Sequence, residues 1–277
     1  MNYESIKQLK TGEFKRLCGV RPESFEQMVL VLKQQMPNRG QRGGQLQLSV
    51  EDQLLLTLQY WREYRTYFHI AQSWHLHEST VCRTVHRVET ILSRSGVFKL
   101  PGKKQLQHPE CELEVLVVDV SESPIERPKK KQKRFYSGKI KRRTFKSQIV
   151  IDQNSLGIVC TAHGVGREHD FRLFKRSKVR LQAAMELLAD KGYQGITKLH
   201  ALSRTPKKKP PKKPLPPADK QDNRVLAQRR VVCEHVIGKL KVFRILAERY
   251  RNRRKRFGLR FNLIAALYNF ELALPAI

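Results

Sequence analysis

The chain has 277 residues, a formal net charge of +30 and a sequence pI near 10.3. Its hydrophobic content of 40% is that of a folded protein, which excludes a disordered basic tail. A folded protein this basic is expected to bind a polyanion. The charge is uneven, because residues 1–100 hold 14 Lys and Arg against 9 Asp and Glu. The net charge of that part is +5, and the remaining 177 residues carry +25.

Other bulk features exclude several classes of protein. A membrane span needs about 18 apolar residues in succession, and no stretch of the sequence approaches this. The N-terminal residues MNYESIKQLKTGEF contain no apolar segment of the kind found in secretory signals. The five cysteines are scattered without a Cys-x-x-Cys pair, which favours reduced thiols over a disulfide framework or a zinc site. The sequence predicts a cytoplasmic protein that does not bind membranes.

The N-terminal part is predicted to be helical. The segment PESFEQMVLVLKQQM has apolar residues near a 3.6-residue period, and Pro37 ends the pattern. The composition of NRGQRGGQLQ indicates a loop. A further helix is predicted at about 49–64, with Ser49 as N-cap and Leu54, Leu55 and Leu58 on one face.

Two helices joined by a tight turn are predicted at about 67–93. Ser79 is the predicted cap of the second helix, and His75 lies in the turn, where glycine is common. The second helix is expected to bury Val81, Val85 and Val88. Its outward face is predicted to carry Thr80, Arg83, Thr84 and Arg87. This is the layout of a helix-turn-helix, although the same spacing fits two helices of an ordinary bundle with solvated arginines.

From about residue 113 the pattern changes to that of a mixed α/β layer fold. ELEVLVVDV is an apolar run typical of a central buried strand, with Asp119 at its end. RFYSGKIKRRTFKSQIVID alternates like paired strands around a turn at YSGK, and SLGIVCTAHGVG is a third strand. DFRLFKRSKVRLQAAM is an amphipathic helix, and MELLADKGYQG is a short strand that ends at Asp190. A Pro/Lys-rich loop at about 205–219 is predicted to be extended and mobile. It is followed by a long predicted helix over NRVLAQRRVVCEHVIGKLKVFRILAERY and by a last helix.

Three acidic residues stand out by position. Asp119 and Asp190 are predicted at strand ends, and Glu234 lies in the long helix beside an apolar face marked by Val231, Ile237 and Leu240. Any one of these acids alone is more often a member of an ion pair. Two Mg²⁺ ions ~3.5–4 Å apart can stabilise the attacking and leaving oxygens of phosphodiester cleavage, and Mg²⁺ prefers hard oxygen ligands. In a chain of net charge +30, the three acids together favour a metal site that acts on phosphate.

Four segments carry a resemblance to a known family: VDVSESPIERP, HDFRLF, ADKGYQG and RRVVCEHVIGKLKVF. They resemble the blocks of DDE transposases encoded by bacterial insertion sequences, and most closely the group with a Harbinger-like DDE endonuclease domain. The resemblance covers nearly the whole chain. It implies a helical DNA-binding region over 1–100 and a ribonuclease-H-like catalytic domain over 111–277, with a mixed sheet flanked by helices. The three family acids fall on Asp119, Asp190 and Glu234.

The resemblance also implies a function. Such a protein binds the ends of an insertion sequence, cleaves the DNA and joins the freed 3′ ends to target DNA by two-metal phosphoryl transfer. The expected cofactor is Mg²⁺, as two ions, with Mn²⁺ able to substitute. The expected partners are double-stranded DNA and further copies of the chain, as a homodimer or larger assembly in the bacterial nucleoid. Two alternatives stay open: a transposase-derived DNA-binding protein without catalysis, and a ribonuclease-H-like nuclease that cuts without joining.

Further residues are candidates for auxiliary roles. Arg230, Glu234 and Lys241 match the motif R-x-x-x-E-x-x-x-x-x-x-K, and their spacing places them on one helical face. The resemblance implies that Lys241 contacts the flanking phosphates from this face. Asp170 is either an auxiliary metal ligand or the N-cap of the following helix, and capping is favoured.

Two basic runs favour phosphate contact, with ten Lys and Arg among residues 129–146 and seven among 249–260. The DNA-contact candidates in these runs are Lys129, Lys130, Lys131, Arg142, Arg143, Arg251, Arg253 and Arg254. The aromatic residues near the basic runs and the site are Phe135, Tyr136, Tyr193 and Tyr250. Stacking on unpaired bases is one role open to them, and packing in the fold is the favoured one.

Overall fold

The computed structural model describes residues 2–36, 48–211, 214–252 and 254–275. They form two compact units. A helical unit comprises Met1–Lys99, Leu240–Glu248 and Lys255–Ile277, and an α/β unit comprises Leu100–Lys239 and Arg249–Arg254. The predicted loop NRGQRGGQLQ lies outside the described residues, as do residues 212–213 of the Pro/Lys-rich segment.

Helices occupy both ends of the chain, and the strands lie between them. The first helices are α1 (Thr11–Cys18), α2 (Pro22–Gln35), α3 (Val50–Glu63), α4 (Tyr67–Trp74) and α5 (Glu78–Arg94). They are followed by β1 (Val115–Pro124), α6 (Gln132–Phe135), β2 (Tyr136–Ser137), β3 (Arg142–Asp152), β4 (Ile158–Val165), α7 (Asp170–Ser177), β5 (Glu186–Leu188) and β6 (Ser203–Arg204). The last are α8 (Pro217–Lys241), α9 (Arg244–Ala247) and α10 (Phe257–Leu272).

The helical unit forms as the apolar periodicity predicts. The Ser49 hydroxyl caps α3 by accepting a hydrogen bond from the Asp52 backbone N–H at 3.0 Å, which confirms the predicted N-cap. The compact units differ from the predicted division of the chain in one respect. α9 and α10, which follow the predicted catalytic segment, belong to the helical unit, because α10 buries residues such as Phe261 and Ile264 there.

The α/β unit is built on a mixed sheet. Its described strands run in the order β2–β3–β1–β5–β6, and β4 also pairs with β3. β1, β3 and β4 pair antiparallel, whereas β5 is parallel to both β1 and β6. Leu116 and Val118 of β1 pack with Val150, Phe174 and Leu187 in one buried cluster. The ribonuclease-H-like mixed sheet flanked by helices is therefore confirmed.

Three predicted boundaries are wrong. β1 continues past Asp119 to Pro124, because its antiparallel pairing with β3 persists over that length. α7 ends at Ser177, where Lys178 adopts a left-handed backbone with φ 53°. The long C-terminal helix stops at Lys241 and does not run on through α9. Among the described residues, no helix has the length and apolar composition required to cross a bilayer.

Candidate active site and DNA-binding surfaces

Asp119 lies within β1, close to the point where the parallel partner strand ends. β5 pairs with β1 only as far as Val117, whereas pairing with β3 continues to Pro124. The side chain therefore emerges beside the carboxyl end of β5. Asp119 Oδ1 accepts a hydrogen bond from the Val120 backbone N–H at 2.8 Å, and Oδ2 lies 3.8 Å from Nη2 of Arg230 on α8.

The electrostatics of Asp119 show that a second carboxylate is near. Burial is the main cause of its raised pKa, and the negative charge of Asp190 raises the pKa further. The hydrogen bond from Val120 and the charge of Arg230 act in the opposite direction. Two carboxylates that repel each other at the edge of a sheet have the oxygen chemistry that a hard divalent cation prefers.

Asp190 is held by the turn that follows β5. β5 ends at Leu188, two residues before the predicted strand end, and Asp190 begins a 3-10 turn over Lys191–Tyr193. Its Oδ1 accepts a hydrogen bond from the Gly192 backbone N–H at 2.7 Å. The turn therefore fixes the direction of the carboxylate, as an Asx-type cap does elsewhere.

Glu234 lies on α8 one turn after Arg230, and its side chain is exposed. Burial raises the pKa of the neighbouring Cys233 thiol, and the charges of Asp119 and Glu234 raise it further, so this turn of α8 lies near β1. Val231 is 39% exposed, so the prediction that it belongs to the apolar face of α8 is wrong. The buried face is formed instead by residues such as Leu226, Cys233 and Val236.

The three predicted acids do not form a closed metal site. Within the described ranges, no group of three His, Cys, Asp and Glu side chains is placed to hold a metal ion. The charge of Asp190 acts on the Asp119 carboxyl and Arg230 lies beside Asp119, whereas the Glu234 side chain is exposed on α8. Lys241 is the last residue of α8 and is half-buried.

Arg229 attaches α8 to the sheet, a role that was not predicted from the sequence. Its guanidinium contacts both carboxylate oxygens of Glu186 on β5, and Nη1 lies 3.2 Å from Oε1. The Gln153 side chain donates a hydrogen bond to the Arg229 carbonyl at 3.1 Å and accepts one from its Nη2 at 3.2 Å. These contacts set the rotation of α8, so the next residue, Arg230, faces Asp119. In the sequence Arg229 stands in a Gln-Arg-Arg run with no signal that separates it from Arg230.

Asp170 is the first residue of α7, and the N-cap is His169, so the predicted capping role is wrong. Asp170 Oδ1 instead accepts a hydrogen bond from Nζ of Lys146 at 2.6 Å, and the same ammonium lies 3.8 Å from Glu122. Lys146 is only 8% exposed and was not a sequence candidate. The available signal was the two-residue spacing of Thr144, Lys146 and Gln148, which places these polar side chains on one face of the strand.

The predicted helix-turn-helix is confirmed. α4 ends at Trp74, and His75 adopts the left-handed backbone with φ 52° and ψ 45°, which explains why glycine is common at such a position. α5 begins at Glu78, two residues earlier than the predicted cap Ser79 implies. Its N-cap is His77, whose ring accepts a hydrogen bond from the Ser79 backbone N–H at 3.2 Å, so the prediction that Ser79 is the cap is wrong.

The outward face of α5 carries Arg83, which is exposed, with Thr80 and Arg87 half-buried. The prediction that Thr84 faces outward is wrong, since Thr84 is 2% exposed and lies on the face of the buried Val81. The pKa of Arg87 is lowered by partial burial and by the positive charge of Arg83 one turn away. Two like charges at this spacing repel each other, so a phosphate placed between them would stabilise the face.

The two basic runs meet in the α/β unit, although they are far apart in sequence. The Tyr250 backbone N–H donates a hydrogen bond to the Pro124 carbonyl at 2.8 Å, and the Glu126 N–H donates to the Tyr250 carbonyl at 3.0 Å. The Arg254 guanidinium lies 5.1 Å from the centroid of the Phe135 ring. Residues 249–254 therefore lie beside the segment that carries the first run.

The basic side chains of the two runs differ in how far they are exposed to solvent. Lys129, Lys130, Lys131, Arg142 and Arg254 are exposed, Arg143 and Arg251 are half-buried, and Arg253 lies outside the described residues. Arg256 and Arg260 bind the buried Glu89 in the helical unit, so the prediction of phosphate contact is wrong for that end of the second run. The aromatic rings of Phe135, Tyr193 and Tyr250 are buried and pack in the fold, whereas Tyr136 is 45% exposed.

Comparison with known proteins agrees with this architecture. Residues 118–269 match the family model described as DDE superfamily endonuclease, and residues 46–98 match its helix-turn-helix. The chain therefore belongs to the DDE superfamily endonucleases, among the transposases of bacterial insertion sequences. It is 52% identical over 276 residues, with full coverage of both chains, to the "Probable transposase for insertion sequence element IS702" of Microchaete diplosiphon. No solved structure matches the chain.

Proposed function

We propose that this protein is a transposase that binds the ends of its insertion sequence, cleaves the DNA strands and joins the 3′ ends to target DNA. The observation that carries the proposal is the Asp119–Asp190 pair at the edge of the sheet, within a domain that matches the DDE superfamily endonucleases. The helix-turn-helix on the same chain supports specific recognition of DNA ends. Such a protein works where the DNA is, in the bacterial nucleoid.

Asp119, Asp190 and Glu234 are the proposed ligands of two Mg²⁺ ions, with Mn²⁺ able to substitute. The carboxylate oxygens of the aspartate pair suit a hard cation, and the raised pKa of Asp119 is a cost that a bound cation relieves. Bound divalent cations stabilise the attacking and leaving oxygens of an in-line displacement at phosphorus. Because the Glu234 side chain is exposed, it can change its position and approach the aspartates when DNA binds.

The surrounding side chains have proposed supporting roles. Arg230 lies 3.8 Å from the Asp119 carboxylate and offsets its charge in the absence of a cation; its proposed role once a cation is bound is phosphate contact. Lys241, at the end of the same helix, is a second candidate for phosphate contact. Asp170, held by Lys146, is an auxiliary carboxylate next to the pair.

The proposed DNA contacts fall on two surfaces. Thr80, Arg83 and Arg87 of α5 contact the element ends, and Thr84 is excluded by its burial. The second surface carries Lys129, Lys130, Lys131, Arg142, Arg143, Arg251 and Arg254, which contact the DNA backbone without reading its sequence. Arg253, which lies outside the described residues, is a further candidate by its place in the basic run. Pairing two element ends requires at least two copies of the chain, so we propose a homodimer or larger assembly on DNA.

A second candidate function follows from the position of Glu234. Asp119 and Asp190 each accept a backbone hydrogen bond, whereas Glu234 is exposed on α8, so a DNA-binding protein that has lost catalysis is the main alternative. A nuclease that cuts without joining is the other.

A labelled duplex that carries the element's own ends separates these functions. We would incubate it with the wild-type protein and with Glu234→Gln in Mg²⁺ or Mn²⁺. The control is Asp222→Asn, which removes the charge of an exposed acid on the same helix. Cleaved and joined products in the wild type and control but not in Glu234→Gln are the expected result. Cleavage without joining would establish the nuclease, and binding without cleavage would establish the inactive DNA-binding protein.

A further inference from the structure

Tyr193 is the third residue after Asp190, and its hydroxyl is unsatisfied. The side chain is 0% exposed, and its ring packs near Phe171 and Phe174, with centroids 6.5 and 6.0 Å apart respectively. The hydroxyl finds no hydrogen-bond partner among the described residues. A buried hydroxyl without a partner is costly and rare in native proteins, whereas phenylalanine at this position would pack without that cost.

The negative charges of three carboxylates act on the Tyr193 hydroxyl. The pKa of Tyr193 is raised well above its usual value, first by burial and then by the charges of Asp170, Asp119 and Asp190, in that order. The phenol therefore keeps its proton at neutral pH. A protonated hydroxyl near carboxylates can act towards them only as a hydrogen-bond donor.

The geometry around Gly192 identifies the nearest carboxylates. A Cβ placed on Gly192 would lie 2.9 Å from Oδ1 of Asp190 and 3.6 Å from Oδ2 of Asp170. Both oxygens therefore border the residue that precedes Tyr193. Oδ1 of Asp170 is already bound to Lys146 at 2.6 Å, so Oδ2 is the oxygen that faces the turn.

We propose that Tyr193 is a positioning residue, whose hydroxyl donates a hydrogen bond to Oδ2 of Asp170 and so orients this carboxylate towards the Asp119–Asp190 pair when a divalent cation is bound. Lys146 donates a hydrogen bond to the other oxygen of Asp170. Together the two donors make Asp170 a fourth carboxylate of the site. This inference rests on the proposed divalent-cation site, and it assigns functions to Tyr193 and Lys146 that the sequence did not predict.

The test is Mn²⁺ binding to the full chain, measured by isothermal titration calorimetry without DNA, with the melting temperature as a second readout. Tyr193→Phe keeps the ring and removes only the hydroxyl. Its cation-free melting temperature is expected to equal or exceed that of the wild type, while its dissociation constant for Mn²⁺ rises about tenfold, as is common when a partner of a metal-binding residue is lost. Tyr136→Phe, which removes a hydroxyl from an exposed tyrosine, is the control and is expected to change neither value.

A double variant tests whether Tyr193 acts through Asp170. In the background of Asp170→Asn, adding Tyr193→Phe is expected to weaken Mn²⁺ binding no further. Wild-type affinity in Tyr193→Phe, or independent effects of the two substitutions, would overturn the inference and leave the cation site in place. No Mn²⁺ binding by the wild type would instead overturn the proposed cation site, and the inference with it.

Discussion

At the scale of single residues, Asp119 and Asp190 are each held by a backbone hydrogen bond, whereas Glu234 is exposed on α8. Asp119 and Asp190 were predictable because each follows or ends an apolar run that forms a strand. The exposure of Glu234 was not predictable, because the rotation of α8 depends on Arg229 and its contacts with Glu186 and Gln153. A helical periodicity determines which residues share a face, and not what that face meets.

The burial of Thr84, in contrast, could have been predicted from its spacing in the sequence. Thr84 lies three residues after Val81, one before Val85 and four before Val88, which is the spacing of a buried helical stripe. Its polarity suggested an outward position, but a threonine hydroxyl within a helix can be satisfied by the preceding turn. The outward face of α5 is therefore narrower than the sequence suggested, and Arg83 is exposed on it while Arg87 is half-buried.

Arg83 is expected to carry sequence recognition. Arg83→Ala should weaken binding to a duplex of the element end by about 1–3 kcal/mol, and should affect an unrelated duplex less, because arginine reads guanine edges in the major groove. The control is Arg94→Ala, which removes the same charge about 16 Å further along α5. Fluorescence anisotropy at fixed salt measures both. Equal losses on both duplexes would show that Arg83 contacts only the backbone.

At the scale of elements, the ion pair between α8 and β5 connects the fold to the site. Arg229 holds Glu186, which also lies 2.7 Å from Arg204 of β6. The pKa of Glu186 is lowered, chiefly by the hydrogen bond from Arg229. A lowered carboxylate pKa contributes stability above the unfolded value of 4.5, and this stability is lost as the pH falls through the folded pKa.

Glu186→Gln is therefore expected to lower the free energy of unfolding by about 1 kcal/mol at pH 7, and by much less near pH 3. Urea unfolding at the two pH values measures the difference. Glu112→Gln, at an exposed position of the same unit, should have no effect at either pH. A loss for Glu186→Gln that is the same at both pH values would mean that packing, and not charge, is what the substitution removes.

The helical unit depends on a second ionic contact, which links α5 to α10. Glu89 is fully buried and accepts hydrogen bonds from Trp61 at 3.0 Å, from Arg260 at 2.6 Å and from Arg256 at 2.7 Å. Arg260 is also fully buried. The sequence showed Arg256 and Arg260 only as members of a basic run, because a buried acid more than 160 positions away gives no local signal.

Removing this acid leaves a buried arginine without its partner. Glu89→Ala is expected to destabilise the protein by about 3–5 kcal/mol, the usual cost of breaking a buried pair from one side. Glu26→Ala, at an exposed position of α2, should change stability by less than about 0.5 kcal/mol. Thermal unfolding followed by circular dichroism compares the two. A small loss for Glu89→Ala would mean that water or another acid replaces the partner.

At the scale of the whole molecule, the net charge predicted the class of ligand, and the fold determines where the charge lies. The sequence showed two basic runs, but not that Tyr250 forms backbone hydrogen bonds with Pro124 and Glu126 or that Arg254 lies over the Phe135 ring. These contacts form because Leu240–Glu248 belong to the helical unit and the residues that follow belong to the α/β unit again. No local sequence pattern indicates this change of unit. Arg256 and Arg260 form ion pairs with Glu89 in the helical unit. Fewer basic side chains are therefore available to DNA than the composition suggests.

Because counterion release drives phosphate contact, binding should weaken steeply with salt, and each phosphate contact contributes about 0.9 to the slope of log K against log salt concentration. Lys129 and Lys130 are exposed and make no ion pair within the described residues. Replacing both with alanine should reduce the slope by about 2 on any duplex. Lys7 and Lys33 are matched controls, because each already pairs with an acid, Glu4 and Glu51 respectively. Replacing both control lysines with alanine should leave the slope nearly unchanged. An equal reduction of the slope in both double variants would show that the net charge of the protein determines the salt dependence, and not the position of Lys129 and Lys130.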